Sequence, residues 1–246
     1  MTENVRDIRV SRMWVSDEGT GQPVVLCNGG PGCGDYLQPV ASMMSDLARV
    51  IRFEPRGCGR SEPGGPYGLA TSLADLDAIR ESFGFERWIM GGHSAGAFLA
   101  LAYCLEYHER VAGVLYLSGA GIQNDRQWHT AYQEGKEAGR ELAIEEQFLP
   151  NREVNRIGNE SARAFCREPR LLRRIADIDT PFLAVQGSDD IRPNWPVEQL
   201  VHLIPGARIQ IIDGAGHNLW LTHPAEVREA MRPFVQAAVD ATSDVH

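Results

Sequence analysis

The chain has no excess of positive charge, no long apolar run and no ordered set of cysteines. Of its 246 residues, 24 are Lys or Arg and 33 are Asp or Glu, a formal net charge of −9. A surface of that sign repels a phosphate backbone, so nucleic acid is not an expected partner. The cluster Arg170, Arg173 and Arg174 reads instead as a solvated helix face. No segment reaches the ~20 apolar residues that span a bilayer, so no membrane partner is expected either. Residues Met1 to Asp7 lack the cationic start and apolar stretch of a signal peptide. The five cysteines (Cys27, Cys33, Cys58, Cys104, Cys166) are odd in number and scattered. They fit neither a disulfide framework nor paired zinc ligands, which points to a reduced, cytoplasmic setting and no metal. Repeats and low-complexity stretches are also missing.

What is present is an ordinary globular composition, 43% hydrophobic and 23% charged. Short apolar runs alternate with amphipathic segments, the pattern of an α/β fold with a mostly parallel central sheet and helices on both faces. Ile8 to Val15 alternates imperfectly, as an exposed edge strand does. Val24–Cys27, Val50–Phe53, Trp88–Gly92, Val111–Leu117, Pro181–Gln186 and Arg208–Ile212 read as strands, the continuous runs among them buried on both faces. Tyr36 to Ala48 reads as a helix. Ser72 to Phe83 carries Leu73, Leu76, Ile79 and Phe83 on one stripe, with Gly84 closing it as a C′ glycine. From Ile122 to Ala176 the strand signal disappears, and a final helix spans Pro224 to Val239. These readings divide the chain into core residues 1–121, a short helical cap over 122–176 and core residues 177–246.

The segment Gly92-His93-Ser94-Ala95-Gly96 lies between an apolar strand and a helix of small residues. A serine at the apex of so tight a strand-to-helix turn needs glycine on both flanks, because side chains there would collide. Its hydroxyl is a poor nucleophile without an adjacent base. Gln186-Gly187-Ser188-Asp189-Asp190 and Asp213-Gly214-Ala215-Gly216-His217 each follow a strand. In a parallel sheet such loops gather on one edge, so serine, acid and histidine can meet there. Ser94 is the candidate nucleophile, His217 the candidate base on its glycine-bounded loop, and one of Asp189 and Asp190 the acid. His93 cannot swing beneath its own neighbour and reads as a pocket wall or packing residue.

Together with Asn28-Gly29-Gly30-Pro31-Gly32 and Arg56-Gly57-Cys58-Gly59-Arg60-Ser61, these segments resemble the α/β-hydrolase superfamily, nearest its proline iminopeptidase branch. The resemblance implies a Ser-His-Asp serine hydrolase with Asp190, third after its glycine, as the acid. It further implies an oxyanion hole made by the backbone N–H groups of Gly30 and Ala95, and no cofactor. The arginine-glycine loop corresponds to a structural loop of the family. Asn28 departs from the family's histidine, His93 and Ala95 from the iminopeptidases' usual neighbours of the serine, and the cap is short for that branch.

An iminopeptidase recognises a cationic amine with cap acids, for which Glu134, Glu137, Glu141, Glu145 and Glu146 are the candidates. On a charged helix such residues read first as solvated. The expected activity is hydrolysis of small carboxylic esters. The alternatives are release of N-terminal proline from a short peptide, and a catalytically silent ligand-binding protein on the same fold. Substrate-binding residues and oligomeric state are not legible.

Overall fold

The computed structural model describes residues 2–8 and 11–243. Eight strands form one sheet: β1 (Thr2–Ile8), β2 (Ser11–Glu18), β3 (Pro23–Cys27), β4 (Arg49–Phe53), β5 (Trp88–His93), β6 (Val111–Leu117), β7 (Phe182–Gly187) and β8 (Arg208–Ile212). Their spatial order is β1-β2-β4-β3-β5-β6-β7-β8. β1 and β2 pair antiparallel, as do β2 and β4, and every later pair is parallel. The expected single strand over Ile8–Val15 is therefore two strands of a hairpin, with Ile8 paired to Ser11. Arg9 and Val10 lie outside the described residues.

The chain leaves β3 for β4 on one side and returns to β5 on the other. That reversal opens a crevice at the carboxyl ends of β3 and β5, where open α/β sheets bind ligands. The same edge carries the ends of β6, β7 and β8. The central strands are apolar on both faces and each face has its own core: Val114 and Tyr116 of β6 join one, Leu115 and Leu117 the other.

The first core is covered by α2 (Leu69–Ser82), α3 (Ala95–Glu106), α6 (Leu171–Ala176) and α7 (Trp195–Leu203), and the second by α1 (Gln38–Ser42) and α8 (Pro224–Ser243). Between β6 and β7 lie α4 (Arg126–Glu137), α5 (Arg152–Phe165) and α6, with no strand among the described residues. Asp125 caps α4 by accepting the Trp128 amide at 2.7 Å. Asn151 caps α5 by accepting the amides of Glu153 and Val154. Both satisfy amides that a helix start leaves unpaired.

Three helices differ from expectation, α8 by running on to Ser243 beyond the expected Val239. α1 is shorter than Tyr36–Ala48, because Met43, Met44 and Leu47 each bond three residues back and tighten the chain into turns. α2 begins earlier, at Leu69, and Gly84 stands after it at φ +71° as a C′ residue. Arg174 is not simply solvated: it holds Glu168, Glu106 and the Leu105 carbonyl.

Beneath the loop that follows β3 is a buried ionic cluster. Arg52 of β4 donates to Asp35, to Glu18 and to the Ser16 hydroxyl. Glu54 accepts the Asp35 amide at 3.0 Å and the Arg60 guanidinium at 2.9 Å. Arg56 pairs with Asp75 of α2, and the Ser61 hydroxyl bridges the Glu54 carbonyl to the Trp14 amide. These bonds make the arginine-glycine loop a brace.

Burial pushes the Asp35 carboxyl up to about 6, more than Arg52 pulls it back. In an unfolded chain the same group titrates near 3.9. The folded protein therefore holds an extra proton between those values. The stabilisation is complete below about pH 4 and is lost as pH rises through 6, on the order of 3 kcal/mol. In urea denaturation across this range, Asp35→Asn is expected to lose that part of the slope; a slope identical to wild type refutes the expectation.

Candidate active site

Ser94 stands between β5 and α3 with φ 58° and ψ −118°, a backbone conformation that L-residues avoid. It is held there by packing without side chains. A Cβ on Gly92 would run into the carbonyl of Gly96, and one on Gly96 into that of Cys27. The Ser94 amide is fixed by the Leu117 carbonyl of β6 at 2.8 Å. Such strain costs on the order of 1–3 kcal/mol and persists where the surroundings enforce it.

Gly29 lies directly against this turn, since a Cβ there would come within 3.0 Å of Ser94 Cβ and 3.1 Å of the His93 carbonyl. Gly30 follows at φ +38°. Ala95 opens α3, so its amide has no helical carbonyl one turn back to bond. The helix also brings its positive end to this point.

Across the crevice the loops after β7 and β8 are pressed together, because a Cβ on Gly187 would collide with the Ala215 carbonyl. The Asp189 amide bonds that carbonyl at 2.9 Å. Asp189 and Asp190, in the turn that follows β7, have different surroundings. Asp189 is exposed and accepts the Ser188 hydroxyl. Asp190, its side chain 2% exposed, accepts His217 Nδ1–H at 2.6 Å. That bond leaves Nε2 of a neutral His217 with the lone pair. Burial works against the Asp190 carboxylate. The His217 bond and then the charges of His217 and Arg192 outweigh it and hold its pKa below the ordinary value. The His217 ring is 4.6 Å, centre to centre, from that of His93, the residue preceding Ser94.

Further residues that the sequence does not single out as functional complete the surroundings. Arg192 donates to Asp190 at 3.1 Å and to Glu141 at 2.7 Å. A cation two residues after the acid is the one hint the sequence held. Tyr36 accepts the Gly29 amide, its ring stacks on Trp220, and Asn218 donates to the Leu142 carbonyl. His93 is more than a packing residue, because both of its ring nitrogens are hydrogen-bonded.

The segment 146–161 lies on the loop that carries Gly30. The Gly34 amide donates to the Phe148 carbonyl and the Asn151 amide to that of Gly32, both at 3.2 Å, and Asn155 donates to Pro31. Asn28 donates to the Phe53 carbonyl at 2.9 Å, so it ties β3 to β4 behind the loop.

A family described as the alpha/beta hydrolase fold matches residues 22–151. The chain therefore belongs to the α/β-hydrolase fold family. Over 101 residues it is 36% identical to a proline iminopeptidase of Neisseria gonorrhoeae, a match covering 39% of this chain and 32% of that protein. Over 107 residues it is 34% identical to one of Saccharolobus solfataricus, covering 42% and 34%. The match thus spans about a third of these relatives' length. Among solved structures, a proline iminopeptidase of Mycobacterium smegmatis superposes with TM-score 0.74 at 17% identity, covering 98% of this chain and 100% of that one. An esterase of Exiguobacterium antarcticum does so with TM-score 0.76 at 20% identity, covering 96% and 100%. At those identities the likeness concerns the fold alone.

A proton held between His217 and a buried carboxylate at 2.6 Å is strongly deshielded. It is expected as a far-downfield proton NMR signal that Asp190→Asn abolishes and Asp189→Asn retains. The reverse dependence would place the acid at 189.

Proposed function

We propose that the chain is a serine hydrolase that works on small carboxylic esters through an acyl-enzyme. Ser94 is the nucleophile, His217 the general base and Asp190 the acid that orients it. The N–H groups of Gly30 and Ala95 form the oxyanion hole, and residues 122–176 serve as the cap. The observation that carries this reading is the His217–Asp190 bond, made on the same sheet edge as the strained, glycine-flanked Ser94.

In the proposed reaction His217 Nε2 takes the Ser94 hydroxyl proton as Oγ bonds to the ester carbonyl carbon. The carbonyl oxygen becomes an oxyanion that accepts from the two backbone donors, which need no reorganisation as charge develops. Collapse breaks the bond to the alcohol, which leaves with the proton from His217. Water then attacks the acyl-enzyme, gives its proton to His217, and releases the acid and the free serine. Asp190 stays ionised throughout, as its lowered pKa favours.

The relatives named as iminopeptidases favour a second reading, release of N-terminal proline. The charges favour the ester. Of the five cap acids considered for amine recognition, Glu134, Glu137, Glu145 and Glu146 are exposed. Glu141, which reaches the triad's surroundings, is ion-paired to Arg192. A substrate ammonium would have to displace a guanidinium already in place. An alkoxide is also a better leaving group than an amine and asks less of the proton transfer.

A fluorophosphonate probe is expected to label Ser94 and no other serine. On a turned-over ester, Asp190→Asn should lower kcat by about 10³- to 10⁴-fold, the scale of losing a triad's acid, with Asp189→Asn near wild type. Labelling at another residue, or none in active protein, would sink the mechanism.

Among unactivated alkyl esters and Pro-X dipeptides, the esters should give the higher kcat/KM. Efficient proline release that is lost in Glu141→Gln would establish the second reading instead.

A further inference from the structure

His93 is buried, 2% exposed, between the two halves of the site. Its Nε2 is 3.0 Å from the carbonyl oxygen of His217 and its Nδ1 is 2.7 Å from the Tyr36 hydroxyl. That hydroxyl lies 2.6 Å from the Gly29 amide nitrogen. The direction of each bond follows from chemistry. A carbonyl oxygen only accepts, so Nε2 carries a proton. Burial, and then the neighbouring His217, hold the His93 pKa well below its ordinary value, so the ring is neutral and Nδ1 is a lone pair. Tyr36 must donate its proton to that lone pair, which leaves its oxygen free to accept the Gly29 N–H. Around this line Trp220 meets the His93 ring edge-on at 4.8 Å and stacks on Tyr36 at 6.0 Å.

We propose that Tyr36 and His93 are positioning residues. They form a one-way chain of hydrogen bonds, from the Gly29 amide through Tyr36 and His93 to the His217 carbonyl, that holds the oxyanion loop and the base loop in register about Ser94. The proposal rests on the serine-hydrolase reading above. The two loops leave β3 and β8, which are separated by three strands. The base loop approaches through Gly214 and Gly216, and a Cβ on Gly216 would meet nothing within 4 Å. Contact with Gly187 and the bond from the Asp189 amide fix that loop at Ala215, and the His93 bond extends the hold two residues on, to the His217 carbonyl. Fixing the Gly29 amide orients the Asn28–Gly29 peptide, one before the peptide that carries the Gly30 N–H, and fixing the His217 carbonyl sets the backbone just after the residue from which the imidazole projects. A misplacement of about 1 Å can cost on the order of 10² in rate.

Tyr36→Phe separates this role from packing, since the ring and its stack on Trp220 remain while the hydroxyl goes. It is expected to lower kcat about 10- to 100-fold with KM changed less than about threefold, the loss of a positioned geometry and not of binding. His93→Leu should lose a similar amount, and the double variant little more, because both break one chain. His93→Gln, which retains an N–H able to reach the His217 carbonyl, should recover part of the loss. Wild-type kcat in Tyr36→Phe, or full additivity in the double variant, overturns the proposal. Should the variants not fold, ¹⁵N-histidine NMR of the wild-type protein decides. His93 must stay the neutral Nε2–H form from about pH 5 to 8. The Nδ1–H form, or titration in that range, overturns the chain. The rate of fluorophosphonate labelling separates this proposal from the reading beneath it. No adduct at Ser94 in wild type defeats the serine-hydrolase reading, whereas labelling of wild type and Tyr36→Phe at equal rates defeats the chain alone.

Discussion

Where β5 turns into α3, three stretches of backbone touch with no side chain between them. The carbonyls of Cys27 and Gly96 occupy the space that side chains at positions 96 and 92 would need. Close approach of this kind is rigid, because backbone cannot move aside as a rotamer can. Once it is made, Ser94 can only sit at the apex with its strained φ, and the loop after β3 can only pass beside it. The parallel register of β3, β5, β6, β7 and β8 then delivers the other two loops to the same edge.

Among the described residues, buried charge is kept in small groups. Arg52 faces Asp35 and Glu18; Arg60 faces Glu54; Arg56 faces Asp75; Arg192 faces Asp190 and Glu141. Removing one member of such a group strands its partners, which is more damaging than the pair is stabilising. At the site this has a functional side. The Glu141 carboxylate of the segment 122–176 is held by Arg192, which it shares with Asp190, so a cation arriving at Glu141 meets a guanidinium already in place.

Much of the sheet was legible because a strand buried on both faces must be a continuous apolar run. Val24–Cys27 and Val111–Leu117 are such runs, and each falls within an observed strand; Val50–Phe53 does so too, although Arg52 interrupts it with a buried charge. The edge was harder. An imperfect alternation over Ile8–Val15 does not reveal where a hairpin folds back, and the same parity of side chains fits one strand or two. The extent of α1 depends on three-residue bonds that no periodicity announces. Ser94, Asp190 and His217 stood out because glycines and strand ends mark them. Tyr36, His93 and Arg192 did not, since their partners lie 57, 124 and 51 residues away in the chain. Adjacency in sequence suggested packing for His93, whereas its bonds are made across the sheet edge.

The loop carrying Gly30 is bonded on one side by the core and on the other by residues 148, 151 and 155 of the segment between β6 and β7. The insertion is therefore a structural member of the loop as well as a covering for it. Grafting another family member's insertion onto this core would remove three of the loop's hydrogen-bond partners. The shape of the insertion and the precision of the loop are thus mechanically coupled in this chain, and a lineage that reshapes one must re-anchor the other.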